Sequence, residues 1–502
     1  MKEKDTSRPN IVLITLDDFS YDIFMQNIDM FPNMKWLKEN SVFFENAFSV
    51  GPATIYSFPG IIGSVYPYYF GVGINKNVDT IDSVLKNAGY NTAFINECNG
   101  FLTPFFGYCK NIDYQNHFLD LSHSKVDRKF GDVFLMKNKS EKTRDPWQLE
   151  YRLRKIFLRI VSAQFIIKIA RYLFNFFHFL RKNLTNKGQD FEHRTRLYNE
   201  FINDILSFIS TRLGQPQYLW VHTIINHSPY FPLESTDKFS IKEIDRLNYR
   251  ATSNFINSKT VKKLKTLYIE SMKRTEKLIT DILEEMESSG LKENTLVIIT
   301  ADHGEDFMEQ GYFGHGVESS SDQLLHVPLI FYWPSRLEPR CIKTPVSTID
   351  ILPTICNLID VPVPATARGI SQEKLICGIT EKTKDALKQD YRPLFSEAWD
   401  TDGLLDRTPG YKSNKTVFTV RKGKYKLRTI LNKVDKNIVE AIDLQDWTSK
   451  EELDMEDCLM LVDDLRSELY KHLRDEHSFT EYLSTESEKI RLKGKIKKLK
   501  KI

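Results

Sequence analysis

The strongest constraint on the fold is a repeated pattern in which a short apolar run stops abruptly at polar, mostly ionisable residues. The first run, residues 11–16 (IVLITL), is followed directly by Asp17 and Asp18. Uninterrupted apolar runs of this length are typical of strands covered on both faces, as in a parallel sheet. Similar runs occupy residues 92–95, 218–225, 296–300 and 327–333. Because helical segments separate them, the sequence predicts an α/β fold with a mostly parallel central sheet flanked by helices.

The chain of 502 residues is long enough for one large α/β domain and a smaller one. Its clearest helix is predicted over residues 261–289, with Gly290 as the C-terminal cap. A β-hairpin is predicted around Lys422 and Gly423, followed by a mostly helical end. We therefore predict a main α/β domain, a helical insertion that is basic and aromatic, a smaller C-terminal α+β subdomain with the hairpin, and a basic tail. Their ranges are 8–120 with 195–365, 121–194, 366–480 and 481–502, respectively.

Net charge gives little indication of a macromolecular partner. The 70 basic and 67 acidic residues leave a formal charge of +3, so no nucleic-acid partner is expected. Residues 156–181 mix Phe, Ile and Leu with Arg and Lys, a composition typical of a helix that lies on a membrane surface, but a helical lid on the main domain has the same composition. The basic tail could contact anionic lipid or be solvated. Peripheral membrane contact through either segment stays an open alternative.

The N-terminal residues do not resemble a targeting segment. MKEKDTSRPN leads directly into the first apolar run, without the longer apolar segment and small-residue cleavage site of a secretory signal. No run approaches the ~20 apolar residues that a membrane-spanning helix requires. We expect a cytoplasmic protein that does not span a membrane.

Candidate functional residues follow the predicted strands. In open α/β sheets, ligands bind beyond the carboxyl ends of the strands. Ionisable residues occur there in three places, and a further histidine follows a short loop later: Asp17 and Asp18, His227, Asp302 and His303, and His315. Taken singly, an aspartate could cap a helix and a histidine could be a loop residue with its hydrogen bonds satisfied. Their joint occurrence predicts a binding site for a divalent metal.

Carboxylates and imidazoles are suitable ligands for a hard or borderline divalent ion. The residues expected to bind it are Asp17, Asp18, Asp302 and His303. We predict one divalent ion, which could be Mn, Zn, Ca or Mg.

An ordered set of motifs resembles a known family. RPNIVLITLDD, FENAF, SVYP, NAGYNTAFI, HSPY, TADHGEDF, GHG, HVPLIFYWP, STIDILPTICNLI and VRKGKYKL are similar to segments of the sulfatases, which belong to the alkaline-phosphatase-like superfamily. The resemblance covers most of the chain apart from the insertion and the tail. It implies the alkaline-phosphatase-like fold and hydrolysis of an ester.

The resemblance also implies a nucleophile. Counting back from Tyr66 and Pro67, the family's nucleophile position falls on Thr54, but the usual Cys/Ser-x-Pro-Ser-Arg signature is absent. Thr54 would then act through its own hydroxyl, bound to the metal, as in family members that hydrolyse phosphoesters or transfer phosphoethanolamine or phosphoglycerol groups. A metal lowers the pKa of a bound hydroxyl and stabilises the charge of the transition state.

Other residues are expected to contact the ester. His227 and His315 would bind it or protonate the leaving oxygen, and Ser57 and Asn99 are further candidates for substrate binding. The family's active-site lysine has no counterpart after GHG.

Three functional hypotheses follow. The first is a metal-dependent hydrolase of sulfate or phosphate esters, acting on a small molecule, a glycan or a lipid head group. The second is a transferase that moves a phosphoethanolamine- or phosphoglycerol-type group to a glycan or lipid. The third is a binding protein without turnover, which the retained Asp17, Thr54, Asp302 and His303 disfavour.

Overall fold

A computed structural model of the chain describes twelve stretches of the sequence. They are residues 8–97, 99–118, 189–211, 215–233, 238–252, 257–309, 311–316, 320–379, 391–400, 412–413, 415–432 and 438–499. Nearly all of the predicted insertion, including residues 156–181, lies outside the described residues.

In the described residues, the strands form two β-sheets and a small β-hairpin. In chain order the strands are β1 (Asn10–Leu16), β2 (Val42–Phe48), β3 (Asn91–Asn96), β4 (Tyr114–His117), β5 (Gln217–Thr223), β6 (Thr295–Ala301), β7 (Asp306–Phe307), β8 (Phe313–Gly314), β9 (His326–Tyr332), β10 (Arg340–Ile342), β11 (Val346–Ser347), β12 (Leu394–Trp399), β13 (Thr416–Lys422), β14 (Tyr425–Asn432), β15 (Ile438–Asp446) and β16 (Glu451–Leu453). The five apolar runs are all confirmed as strands, namely β1, β3, β5, β6 and β9.

The central sheet has the strand order β10-β2-β9-β6-β1-β5-β3-β4, and β11 also pairs with β2. Pairing is parallel except at β9, which runs antiparallel to both β2 and β6. The mostly parallel sheet is therefore confirmed, with the run at 327–333 as its one reversed strand among the described residues. Every residue of β5 and β6 is buried, as expected for strands covered on both faces.

Helices flank the central sheet, and one further helix belongs to the C-terminal subdomain. In chain order they are α1 (Tyr21–Gln26), α2 (Pro32–Glu39), α3 (Thr54–Gly63), α4 (Ile81–Asn87), α5 (Gln189–Ser210), α6 (Ile241–Thr252), α7 (Ser258–Ser288), α8 (Asp322–Leu325), α9 (Ile351–Leu358), α10 (Glu373–Ile376) and α11 (Leu459–Leu499). The helix predicted over 261–289 is α7, and Gly290 follows it in a left-handed conformation with φ of 67°. In the described part of the chain no helix has the length and apolarity needed to cross a membrane.

Strand β2 is not among the apolar runs that predicted strands. Glu45 and Asn46 interrupt its apolar pattern, and they coincide with an irregularity in its pairing with β9. A β-bulge places extra residues outside the ladder, which accounts for polar residues within a buried strand.

The C-terminal subdomain is more β-rich than the predicted hairpin with a mostly helical end. Its sheet has five strands in the order β12-β13-β14-β15-β16, all antiparallel. The hairpin of β13 and β14 turns at Gly423, whose φ is 58°. Helix α11 packs on this sheet through buried apolar side chains that include Leu465 and Leu469, and it continues across the boundary predicted at residue 481.

Candidate active site

The carboxyl ends of β1, β5 and β6 meet at one edge of the central sheet. The backbone N–H of Asp17 donates to the carbonyl of Thr223 at 2.9 Å, and that of Asp302 donates to the carbonyl of Leu16 at 3.1 Å. These two hydrogen bonds bring the residues that follow three different strands side by side. The edge of the sheet therefore brings together the candidate residues that follow these strands.

The turn after β1 sends two adjacent carboxylates in different directions. Asp18 adopts a φ of 56°, in the left-handed region that residues other than glycine rarely occupy. The hydroxyl of Tyr268 donates to the Asp18 carbonyl at 2.6 Å and accepts from the N–H of Ser20 at 2.8 Å. A buried tyrosine on α7 thus holds the turn in this conformation.

Asp17, Asp302 and His303 form the first group of possible ligands. Their ligand atoms lie within 4.8 Å of one another. Nε2 of His303 is 3.6 Å from Oδ1 of Asp17 and 3.5 Å from Oδ2 of Asp302. Both of these carboxylate oxygens are buried and have no hydrogen-bond partner among the described residues. Buried oxygens without partners are expected where a cation is to be bound.

The tautomer of His303 supports the same interpretation. Nδ1 lies 2.9 Å from the carbonyl oxygen of Gly304, so this nitrogen donates the ring N–H. In the neutral ring Nε2 then carries a lone pair that faces Asp17 and Asp302. An imidazole oriented by a backbone carbonyl in this way is typical of metal ligands.

Thr54 is the first residue of α3 and lies beside this group. Its Oγ1 is 3.4 Å from Nε2 of His303, and the residue is 8% exposed. The helix N-terminus has a partial positive charge, which favours a developing oxyanion or a bound anionic group. The structure therefore brings together Asp17, Thr54, Asp302 and His303.

The two other residues predicted to bind substrate use their polar atoms within the protein. Ser57 is fully buried, and its hydroxyl donates to the carbonyl of Gly51 at 2.7 Å. Asn99 donates from Nδ2 to Oδ2 of Asp17 at 3.1 Å and accepts at Oδ1 from the N–H of Phe101 at 3.0 Å. Asn99 thereby orients Asp17.

His222 lies behind the same carboxylate and was not predicted to belong to the site. Its Nε2 is 3.2 Å from Nδ2 of Asn99 and 3.6 Å from Oδ2 of Asp17, while Nδ1 is 3.0 Å from the hydroxyl of Thr15. The feature of the sequence that could have indicated it is a histidine within a strand whose residues are all buried.

Asp18, His227 and His315 form a second group of possible ligands. Oδ1 of Asp18 is 3.0 Å from Nδ1 of His315, and Oδ2 is 3.8 Å from Nε2 of His227. Glu305, another residue that was not predicted, lies 3.5 Å from Nδ1 of His315. Its signal is an acidic residue two positions after His303 in the run DHGE. Asp18 and His303 are also in contact, with Oδ1 2.9 Å from Nδ1.

Crowding of buried carboxylates shifts their pKa values. Burial, and then the nearby Asp17, raise the pKa of Asp302 to about 6. Burial and the neighbouring Asp18 raise the pKa of Glu305 to about 7. Burial opposes protonation of His303, but Asp302 and Asp18 raise its pKa to about 9. The carboxylates thus attract positive charge, which imidazolium supplies in the metal-free protein.

The donor set is suitable for a divalent metal. Carboxylate oxygens, an imidazole nitrogen and a hydroxyl oxygen suit Mn, Zn or Mg better than soft metals. Every described ion pair to these carboxylates comes from histidine, with none from lysine or arginine. The residues present therefore fit the ion that the motifs implied.

A cluster of carboxylates and imidazoles beside a hydroxyl, at this edge of this sheet, defines an ester hydrolase with the alkaline-phosphatase-like fold. A family model described as "Sulfatase" matches residues 9–361. The chain belongs to the sulfatase family.

Curated relatives are sulfatases. An arylsulfatase from Clostridium perfringens is 22% identical over 404 residues, which cover 74% of this chain and 78% of the relative. A Delta 4,5-hexuronate-2-O-sulfatase from Bacteroides thetaiotaomicron is 31% identical over 144 residues, 28% of each chain.

Solved structures share the fold at low identity. A phosphonate monoester hydrolase from Silicibacter pomeroyi aligns with a TM-score of 0.60 at 16% identity, over 93% of this chain and 95% of that one. A sulfatase from Bacteroides thetaiotaomicron, described as putative, aligns with a TM-score of 0.62 at 17% identity, over 94% and 93%. A phosphonate monoester hydrolase from Agrobacterium radiobacter aligns with a TM-score of 0.62 at 14% identity, over 94% and 96%.

Proposed function

We propose that this sulfatase-family protein is a metal-dependent hydrolase that uses the hydroxyl of Thr54 as its nucleophile. The observation that carries the proposal is the position of that hydroxyl. It lies at the N-terminus of α3 and 3.4 Å from Nε2 of His303, which faces two buried carboxylate oxygens without partners. Asp17, Thr54, Asp302 and His303 would hold the ion.

The ion, when bound, would lower the pKa of the threonine hydroxyl and neutralise charge on the reacting ester. The protein residues have separate tasks. Asn99 and His222 orient Asp17, and the Gly304 carbonyl orients His303. Thr54 would attack the sulfur or phosphorus centre. As the bond to its oxygen forms, the bond to the leaving oxygen breaks and the hydroxyl proton passes to solvent water.

Proton transfer to the leaving group is assigned to the half-buried histidines. The side chains of His227 and His315 are 37% and 25% exposed, so both are reachable by a bound ester. An imidazolium at either position can donate a proton to the leaving alkoxide, and the resulting neutral imidazole can accept one from the water that cleaves the Thr54 ester. Hydrolysis then regenerates the free threonine.

The substrate is proposed to be a sulfate or phosphoric-type ester of a small molecule or a glycan. Relatives are named as an arylsulfatase and a hexuronate sulfatase, and structural neighbours include phosphonate monoester hydrolases. A threonine nucleophile favours the phosphoester side, because formylglycine cannot be made from threonine. A phosphotransferase would use the same first step and differ only in the acceptor.

Replacing Thr54 tests the proposal. Thr54→Val keeps the shape and removes the hydroxyl, so turnover of aryl sulfate, aryl phosphate monoester, diester and phosphonate substrates should fall at least ~10³-fold. Thr54→Ser, the matched control, should retain measurable turnover. Acid-quenched wild-type protein should carry the transferred group on the peptide that contains Thr54.

Unchanged turnover in Thr54→Val, with the native circular dichroism spectrum, would refute the nucleophile. Product analysis with sugar or lipid acceptors present separates the two reaction types. Free acid as the main product supports the hydrolase, and an acceptor ester as the main product supports the transferase.

A further inference from the structure

We propose that Tyr56 and Ser396 are positioning residues for the nucleophile, and that the C-terminal subdomain thereby forms part of the active site. Their hydroxyls attach the chain on either side of Thr54 to strand β12 of that subdomain. The inference rests on the proposed function, since it concerns how the hydroxyl of Thr54 is held in place.

Strand β12 runs beside the segment that leads into α3. It is the outermost strand of the C-terminal sheet, so one of its edges pairs with β13 and the other faces the main domain. At this second edge, the backbone N–H of Glu397 donates to the carbonyl of Val50 at 2.8 Å. The hydroxyl of Ser396 donates to the carbonyl of Ser49 at 2.6 Å. Two adjacent carbonyls just before the nucleophile are thus bound by two adjacent residues of the other subdomain.

A third hydrogen bond holds the first turn of α3. The hydroxyl of Tyr56, two residues after Thr54, donates to the carbonyl of Trp399, and the two rings meet edge to face with centroids 4.6 Å apart. Both side chains are almost completely buried. The proline of the usual sulfatase signature would fall at position 56, and proline has no hydroxyl to form this bond. The attachment therefore belongs to this chain and not to the signature.

The segment between these attachments has little room to move. Gly51 lies so close to β12 that a Cβ at this position would be 2.3 Å from Cβ of Tyr56 and 3.1 Å from the carbonyl oxygen of Glu397. The hydroxyl of Ser57 donates to the Gly51 carbonyl at 2.7 Å, which ties the segment to α3 as well. Thr54 lies between Gly51 and Tyr56 in the sequence, and both of these residues are packed against the same strand.

Strand β12 is itself held in place on its other contacts, so it can serve as a fixed support. The carboxylate of Glu397 accepts from Nε2 of His472 on α11 at 2.7 Å and from the N–H of Tyr68 at 2.9 Å. Glu397 is 1% exposed, and the His472 ring stacks on Phe395 with centroids 4.0 Å apart. One buried carboxylate thus joins the strand to the C-terminal helix and to the segment that follows α3.

Loss of the two hydroxyls should slow the first chemical step without weakening binding. The reacting oxygen has to be aligned with the sulfur or phosphorus centre, and a displacement of about 1 Å can lower the rate about 10²-fold. The hydroxyls of Tyr56 and Ser396 donate to backbone carbonyls, so neither is expected to contribute to affinity for the ester or the ion.

The double variant Tyr56→Phe/Ser396→Ala tests the inference, together with its two single variants. The matched control is Tyr198→Phe/Ser413→Ala, which removes one tyrosine and one serine hydroxyl that donate to backbone carbonyls elsewhere. Each full-length protein is loaded with Mn²⁺ and given the best of the aryl sulfate, phosphate and phosphonate substrates. Rapid acid quench in a single turnover gives the rate of transfer to the peptide that contains Thr54. The KM, the bound Mn²⁺ per chain and the free energy of unfolding are measured alongside.

The expected result is a transfer rate that falls about 10²-fold in the double variant, with unchanged KM and Mn²⁺ content. Each single variant should show a smaller loss. The control should lose a comparable free energy of unfolding and keep the wild-type transfer rate.

A transfer rate in the double variant equal to that of the control overturns the positioning role. If the double variant does not fold, wild-type rates in both single variants overturn it instead. In either case the wild type still carries the group on Thr54, and the proposed function stands. A wild type that never carries the group on that peptide, with unchanged turnover in Thr54→Val, overturns both.

Discussion

Carboxylates in two regions of the protein, among several that are buried, have different kinds of partner. At the interface with the C-terminal sheet, Asp322 forms ion pairs with Arg421 and, at 3.2 Å, with Lys426, both of which are almost completely buried. At the carboxyl edge of the central sheet, the only ion-pair partners of Asp17, Asp18, Asp302 and Glu305 among the described residues are histidines. In the first region, arginine and lysine of the chain balance the negative charge of the carboxylate. In the second region, negative charge remains unbalanced.

This difference separates an interface from a site. A buried ion pair with matched partners fixes how two parts of a protein meet, and its loss is felt as instability. Clustered carboxylates with unpartnered oxygens lower stability in the absence of a cation. Such a cluster therefore indicates a binding function. The two regions should therefore respond in opposite ways to the same chemical change.

Neutralising one carboxylate at the edge of the sheet should give the largest effect. The effect should be on turnover and not on the free energy of unfolding. Asp302→Asn should lower kcat/KM for an aryl ester at least ~10⁴-fold, about 5.5 kcal/mol of transition-state stabilisation. Its free energy of unfolding in chelator should be unchanged or higher, since fewer carboxylates are crowded together. Steady-state kinetics and denaturant unfolding in chelator measure the two quantities. A loss of stability as large as that of the next variant would contradict the comparison.

Neutralising the carboxylate at the interface should do the reverse. Asp322→Asn leaves Arg421 and Lys426 buried without their partner and should cost roughly 3–4 kcal/mol of unfolding free energy. Bound metal per chain should stay at the wild-type value. Denaturant unfolding and metal analysis provide the measurements, and a loss of metal with unchanged stability would show that Asp322 belongs to the site.

Removing a residue that supports a ligand should weaken metal binding without abolishing it. Asn99→Ala removes the amide that donates to Asp17, and metal affinity should fall about 10- to 100-fold. Chelator competition measures the affinity, and kcat at saturating metal should recover. The matched control is Asn116→Ala on the outer strand β4. It removes an amide that donates to Asp204 on α5 and should bind metal normally. Equal losses in both variants would contradict the role of Asn99.

The interface should also be sensitive to acid. Burial opposes ionisation of Asp322, but Lys426 and Arg421 hold the pKa of its carboxyl well below the usual 3.8. Since the folded pKa is depressed, its contribution is present above about pH 4 and is lost as the pH falls further, at up to ~1.4 kcal/mol per pH unit. Unfolding free energies measured between pH 5 and pH 3 test this, with Asp322→Asn as the control that should lack this component. Identical slopes in the two proteins would contradict it.

Much of the fold could be predicted from local patterns, and the exceptions have physical reasons. Fully buried strands such as β1 and β6 have continuous apolar runs, and these predicted them directly. Strand β2 was missed because polar residues lie at its bulge. Strand β15 was missed because the apolar residues of its sequence IVEAIDLQD do not alternate with polar ones, and its pairing with β14 is irregular at Ile442.

For the candidate site as well, local sequence patterns predicted some of the residues and not others. The residues after the strands, Asp17, Asp302 and His303, could be predicted because parallel strands end at one edge. The division into two groups could not, because it depends on the left-handed backbone of Asp18 and on which nitrogen of His303 faces which carboxylate. Glu305 becomes recognisable only when the fold shows its burial without a hydrogen-bond partner.

The distance along the chain between the parts of the site has a consequence for biogenesis. Thr54 and His303 are 249 positions apart, and strands β5 and β6 have to join β1 before they meet. Under the proposed function, a cation would therefore find no complete set of ligands while the first half of the polypeptide leaves the ribosome. We expect the central sheet to form first and the metal to bind late in the maturation of this protein.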